Sequence, residues 1–179
     1  GDFVVRIVPV PWSQTKNFVM KKEIHVGLVG AQFMGRAHSN AYLKVASAFD
    51  LPAPPVLRAA CDINPSALDP LVARYGWQTK ETSWKKLVAR DDIDLVDICT
   101  ANNLHMPIAL AAAKAGKHVL CEKPIARNAA EARQMLDAVQ AAGVRHMVGF
   151  NYRRVPALAL AKDLIAQGKI GRVYHFNAV

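Results

Sequence analysis

The stretch Gly27-Leu28-Val29-Gly30-Ala31-Gln32-Phe33-Met34-Gly35 decides how the chain is read. Ile24 to Val29 is a short apolar run entering a glycine-rich turn, and the periodicity from Met34 to Ala46 predicts a helix. Set against the dinucleotide fingerprint G-x-G-x-x-G, Gly30 and Gly35 fill the first and third glycines and Gln32 stands at the second. Gly30 permits a tight turn out of the strand, and Gly35 lets the helix pack closely on the sheet. The helix then offers its unpaired N–H groups to a diphosphate. The second position normally lacks a side chain, so Gln32 either points away or hydrogen-bonds the cofactor itself.

Outward from this turn, strand and helix signals alternate. Val56 to Cys61 is a second strand, preceded by the Pro-rich loop Leu51–Pro55. Pro65 and Pro70 interrupt the segment that follows, which predicts only a short turn from Pro70 to Tyr75 capped by Asp69. Ser83 caps a helix through Ala89. Leu95–Cys99 is a buried strand, Pro107–Ala115 a helix closed by Gly116, and His118–Cys121 another strand. Asn128 and Glu131 have capping-box spacing ahead of an apolar helix face of Ala132, Met135, Leu136 and Val139 that ends at Gly143, and His146–Gly149 gives one more strand. Repeated β-α units with short apolar strands predict an α/β fold, a doubly wound parallel sheet with helices on both faces.

Past Gly149 the rhythm changes. Pro156 opens a helix with a face of Ala157, Leu160, Ala161 and Leu164, and Val173–Val179 alternates as a half-buried antiparallel strand does. The chain ends in that strand, which predicts the opening of a second domain over 151–179 after a nucleotide-binding domain over 23–150. Residues 1–22 mix Pro9, Pro11 and Trp12 with short apolar stretches and end in Met20-Lys21-Lys22, which resembles a translation start, so they are expected to be an extension outside the fold. They show no secretory pattern, and a cytoplasmic location is expected.

The 179 residues are 52% hydrophobic and 21% charged, enough apolar material for a core and unlike a disordered chain. No apolar run approaches the roughly 20 residues that cross a bilayer. A net charge of +9 invites a nucleic-acid reading. The basic residues are scattered, however, and Arg6, Lys16, Lys21 and Lys22 belong to the extension, so neither a nucleic-acid nor a membrane partner is expected. Cys61, Cys99 and Cys121 each end an apolar run, have no C-x-x-C spacing, and read as buried thiols, with no metal site expected.

Chemistry concentrates at strand ends. Asp62 closes the second strand, where a carboxylate can accept from both hydroxyls of an adenosine ribose. It lies further past Gly35 than the usual gap of about 20 residues, and the Pro-rich loop accounts for the surplus. A carboxylate there repels a 2′-phosphate, which favours NAD over NADP. Thr100 and Asn102 follow the Leu95–Cys99 strand on the ligand-facing edge, whereas His105 fits capping or packing as well as a ligand contact. In Cys121-Glu122-Lys123-Pro124, a lysine at the carboxyl end of a parallel strand can polarise a hydroxyl or carbonyl. A lysine can also accept a proton when desolvation lowers its pKa. Pro124 fixes the chain direction and can take a cis bond. In isolation, Lys-Pro reads as a solvated lysine before a turn.

In combination the motifs say more. Segments 30–42 (GAQFMGRAHSNAY), 93–105 (IDLVDICTANNLH), 115–124 (AGKHVLCEKP) and 147–157 (MVGFNYRRVPA) resemble, in order, the N-terminal part of the glucose–fructose oxidoreductase, inositol dehydrogenase and rhizopine-catabolism (Gfo/Idh/MocA) family. The resemblance covers residues 23–179. It implies a Rossmann domain binding NAD(P), a following α/β domain with an open sheet through which homo-oligomers form, and oxidation or reduction of a sugar, inositol or related polyol. By position, Gly30, Gln32, Phe33, Met34 and Gly35 match the family's cofactor loop, Asp62 its ribose contact, and Thr100, Asn102 and His105 its T-P-N-x-x-H segment with Ala101 in place of Pro. Glu122, Lys123 and Pro124 match E-K-P, whose lysine the resemblance casts as the catalytic group. Asn151 and Arg153 match the segment near the nicotinamide end. The family's second acid/base group belongs to the second domain, which leads this chain to be expected to hold cofactor without full turnover. The alternative is a non-catalytic scaffold that associates through its second-domain strand.

Overall fold

The computed structural model describes residues 23–177, so the extension expected over 1–22 lies outside the described residues. In order, the chain forms β1 (Ile24–Val29), α1 (Phe33–Ala48), β2 (Pro55–Cys61), α2 (Pro65–Tyr75), β3 (Thr79–Glu81), α3 (Trp84–Val88), β4 (Leu95–Ile98), α4 (His105–Lys114), β5 (His118–Cys121), α5 (Ala129–Ala141), β6 (His146–Val148) and α6 (Pro156–Ala166). The strands make one sheet in the order β3-β2-β1-β4-β5-β6, with every pair parallel. This is the doubly wound Rossmann arrangement. The order reverses between β1 and β4, which opens a crevice at their carboxyl ends.

Each face of the sheet is covered by its own set of side chains. On one, Val26, Leu28, Leu68, Leu71 and Trp77 pack under α1 and α2. On the other, Leu87, Ile98, Ile108, Ala112, Met135 and Val139 join α3, α4 and α5 to the strands. Burial on both faces explains why the strands are apolar runs rather than alternating ones.

Three sequence expectations are corrected. The segment predicted as a turn from Pro70 is a full helix, α2, that runs through Pro70. Asn64, not Asp69, caps it by accepting from the Ser66 N–H, and Pro65 sits in the first turn, where its missing donor costs nothing. An interior proline costs about 3 kcal/mol. Leu68 and Leu71, at 1% and 2% exposure, offset that cost with roughly 2 kcal/mol each. β3 gave no signal because its three residues, Thr79-Lys80-Glu81, are polar and lie on the sheet edge. Residues 173–177 of the predicted terminal strand form no ladder, since among the described residues nothing pairs with their backbone, and Tyr174 and Phe176 stand in solvent.

The first turn is governed by contact. Gly30 has φ +106°, and a Cβ on it would lie 2.5 Å from the Cys99 carbonyl oxygen. A Cβ on Gly35 would lie 3.0 Å from the carbonyl carbon of Gly30 and closer still to its oxygen. Backbone occupies that space, so nothing can rotate away. Gly35→Ala is therefore expected to cost roughly 3 kcal/mol in urea unfolding, the range of an overpacked buried site, without changing the denaturant slope.

Candidate functional site

The crevice at the switch point encloses about 420 Å³. Gly30, Gln32, Phe33, Met34, Asp62 and Thr100, all singled out in the sequence, line it. Its floor is the junction of β1 and β4. Its far wall is apolar and comes from residues the sequence reading missed: Ile63, directly after Asp62, and Trp84 with Leu104 opposite. Ile63 is 82% exposed, a feature that only the folded chain reveals.

At the loop, the helix α1 has no acidic residue in its first turn and no side-chain cap at Gln32, whose side chain is exposed. The amides of that first turn are therefore left to face whatever enters the crevice. Asp62 is already engaged on one side: Oδ2 accepts from the Ala31 N–H at 2.8 Å and Oδ1 from the Asn64 N–H at 2.9 Å. Each carboxylate oxygen can accept more than one bond, so the group is both pinned to the loop and able to accept further donors.

Other predicted site residues stand elsewhere. Gly35 is buried beneath the loop and contributes space rather than contact. Asn102 opens a short 3-10 turn, Asn102–Leu104, and is exposed. His105 is fully buried, with Nδ1 2.9 Å from the Pro124 carbonyl and Nε2 3.0 Å from the Thr100 carbonyl. It ties the loop after β4 to the loop after β5 and does not reach the crevice. Lys123 is exposed, and the Lys123–Pro124 bond is cis. Lys123 shares a second cavity of about 330 Å³ with Phe150, Asn151, Tyr152 and Arg153. The Arg153 guanidinium lies 5.4 Å from the centre of the Phe150 ring.

Glu122 also departs from expectation, for it turns away from the crevice into a buried polar cluster. His38, on α1, has Nδ1 2.8 Å from Asp97 Oδ2 and Nε2 3.1 Å from Glu122 Oε1. Tyr42 donates to Asp97 Oδ2 at 2.9 Å, and the Cys99 thiol donates to Asp97 Oδ1 at 3.6 Å. The other Glu122 oxygen accepts from the Lys123 N–H at 3.1 Å. Asp97 and Glu122 are 0% and 5% exposed. The signal in the sequence was Asp97 itself: a charge inside the apolar strand Leu95-Val96-Asp97-Ile98 demands a partner. His38, Asp97 and Cys99 approach within 4.8 Å of one another, and hydrogen bonds already join these atoms, so we read a bonded cluster rather than a metal centre.

Burial penalises the charged form of the His38 ring, but the hydrogen bond and charge of Asp97, followed by those of Glu122, outweigh it and raise its pKa. Burial, and then the nearby Asp97, hold the Tyr42 hydroxyl well above the usual phenol range. The three thiols move the same way. Cys61 is pushed up to about 12 by burial, then by Asp62 and Glu81. Cys121 reaches about 12 by burial, then through Asp97 and Glu122. Cys99 is raised as well, again first by burial.

A glycine-gated crevice at the switch point of an all-parallel doubly wound sheet defines the nucleotide-binding Rossmann class. A family model described as an oxidoreductase family with an NAD-binding Rossmann fold matches residues 24–150, and the chain belongs to this Gfo/Idh/MocA family. The chain is 46% identical over 157 residues to levoglucosan dehydrogenase of Pseudarthrobacter phenanthrenivorans, covering 87% of this chain and 40% of that protein. It is 33% identical over 150 residues to inositol 2-dehydrogenase of Rhizobium meliloti, covering 84% and 43%. The solved structure of a levoglucosan dehydrogenase in complex with NADH superposes with a TM-score of 0.81 at 46% identity, covering 84% of this chain and 41% of that one. The chain thus spans about two fifths of the length of the relatives it matches. Among the described residues no helix is long and apolar enough to cross a membrane.

The thiols provide a check on the core. At pH 8 the folded chain is expected to take up no iodoacetamide within minutes and three adducts in denaturant, read by intact mass. Early labelling of native Cys61 or Cys121 would show that their strand ends are open.

Proposed function

We propose that this chain is the cofactor-holding part of an NAD-dependent dehydrogenase that acts on a sugar, inositol or related polyol. The observation that carries the reading is the crevice. Gly30 and Gly35 let the loop close onto the end of β4 and α1 close onto the loop, the first turn of α1 directs amides toward the crevice without competing acid, and Asp62 lines it. A diphosphate would rest on those amides. The Asp62 carboxylate would accept from the adenosine ribose, while Ile63, Trp84 and Leu104 supply the apolar surface an adenine ring requires. The similarity to a levoglucosan dehydrogenase solved with NADH supports NAD as the group held.

When bound, NAD supplies the hydride acceptor. Lys123 would hold the reacting oxygen, because its strand end delivers it to the cavity shared with Asn151 and Arg153, and Thr100 would help fix the cofactor between the two cavities. Asp62 disfavours a 2′-phosphate by charge, and no basic residue follows in Ile63-Asn64 to offset it. The domain division proposed is residues 23–150 for the cofactor and 151–179 for the start of a substrate domain, through which the whole protein would associate and act in the cytoplasm.

Calorimetric titration tests the reading. NADH should bind the chain more tightly than NADPH, and Asp62→Ala should weaken NADH by about tenfold to a hundredfold, the value of hydrogen bonds to a charged acceptor, with unfolding curves confirming that the variant is folded. No heat with either cofactor, together with a defined oligomer by light scattering, would replace this reading with that of a scaffold, whose surface would be the exposed Leu158, Leu160 and Leu164 of α6.

A further inference from the structure

The cluster around His38 contains one group that the crevice does not use and that leads directly to Lys123. We propose that His38 is a positioning residue for Lys123: its ring ties Asp97 to Glu122, and Glu122 in turn fixes the backbone from which the lysine projects. The inference rests on the reading of Lys123 as the group that holds the reacting oxygen.

The geometry carries it in three steps. First, both ring nitrogens of His38 face carboxylate oxygens, at 2.8 Å to Asp97 and 3.1 Å to Glu122. Ionised carboxylates only accept, so both bonds exist together only when both nitrogens carry hydrogen. A positive ring between two buried carboxylates also relieves their mutual repulsion. Second, the position Glu122 takes depends on Gly149: a Cβ there would strike Oε1, so the glycine after β6 leaves room for the carboxylate beside the ring. Third, Glu122 Oε2 accepts from the Lys123 N–H, and one residue further on the Pro124 carbonyl lies 2.9 Å from Nδ1 of the buried His105. The lysine backbone is therefore gripped from both sides, by His38 through Glu122 and by His105 through Pro124.

The groups facing the His38 ring come from every element around it. They are Tyr42 on the same helix, Asp97 and Cys99 at the end of β4, Glu122 after β5, and Arg154 with Asn151 across a cavity of about 230 Å³. The ring's pKa is raised. The grip is complete below the ordinary histidine value of about 6.5 and is lost as pH rises through the raised folded value. Deprotonation leaves one N–H for two carboxylates. Nδ1 faces both Asp97 oxygens, at 3.0 and 2.8 Å, closer than Nε2 stands to Glu122, so the remaining hydrogen stays with Asp97 and Glu122 Oε1 loses its ring donor while Oε2 keeps only the Lys123 N–H.

Amide hydrogen exchange followed by NMR on the 179-residue chain reads this directly. In the unsubstituted chain the protection of the Lys123 amide, corrected for the intrinsic rate, should fall as the His38 ring signal titrates, while that of Ile98 in β4 holds. His38→Gln, which has one donor group, should lower Lys123 protection about tenfold at pH 6, the loss of one charge-assisted hydrogen bond. Glu122→Gln, whose amide can donate to a neutral ring, should return the pH dependence to a flat profile. A Lys123 amide whose protection ignores the His38 titration overturns the proposal, and this arm needs no variant to fold. NADH titration of the same samples separates the two readings. Loss of NADH binding in the unsubstituted chain would end the dehydrogenase reading and leave the exchange result standing, whereas intact NADH binding with flat Lys123 protection would end only this inference.

Discussion

The structure depends on how closely two glycines approach. With no Cβ on Gly35, the first turn of α1 sits against the Gly30 carbonyl, and with none on Gly30 the loop lies against the end of β4. That contact fixes the height of α1 above the sheet. At this height Ser39 donates back to the Gly35 carbonyl and accepts from the Trp77 indole, two buried bonds at 2.7 and 3.0 Å that satisfy a polar group inside the α1–α2 core. On the adjoining side of the same helix His38 and Tyr42 come down onto Asp97. One steric allowance therefore sets the crevice, the packing of α1 and the buried cluster together.

That cluster is poor evidence of stability in itself. Two carboxylates and an imidazole withdrawn from water carry a desolvation penalty that their attraction offsets only when every partner is present. What such a group does well is specify. Residues 38, 97 and 122 are far apart in the chain, and their hydrogen bonds exist in only one relative placement of α1, β4 and the loop after β5. A one-residue slip of β4 would turn Asp97 to the opposite face, into the apolar cluster around Ile98 and Ile108. The charge thus excludes the alternative register that an apolar strand of four residues would otherwise tolerate.

Much of this was legible in the sequence, and what was not has identifiable causes. Gly30, Gly35 and Asp62 announced the crevice because each position has a backbone or charge requirement that few residues meet. The helix around Pro70 was misread because local propensity was weighed without the sheet on which Leu68 and Leu71 are buried. β3 escaped because an edge strand of three polar residues has no period to detect. The family resemblance is what placed His105 and Glu122 at the cofactor, while the position of His105 fitted capping or packing equally well. Position along the chain does not say which way a side chain turns, and both turn inward to hold loops. Trp84 and Ile63 went unnoticed since an apolar wall looks like any other apolar residue until the fold brings it opposite a carboxylate.

The two cavities differ in how far the described residues complete them. The crevice takes its glycine loop, its acid and its apolar wall from β1, β2, β4 and α3, all of them packed into the sheet. The cavity at Lys123 is lined by Phe150, Asn151, Tyr152 and Arg153, which are all exposed, as is α6 after them. An exposed ammonium is surrounded by water, and its attraction for a reacting oxygen is weakened there by the solvent's dielectric. The role proposed for that lysine would therefore call for a cover that excludes water, whereas the dinucleotide binding proposed for the crevice would not. Phe150 and Tyr152 line the cavity at Lys123 with their apolar surface uncovered, which places the material for such a cover on the segment that leads away from the sheet. The grip on the Lys123 backbone, by contrast, is already in place, so what a cover would add is a dry environment rather than an orientation.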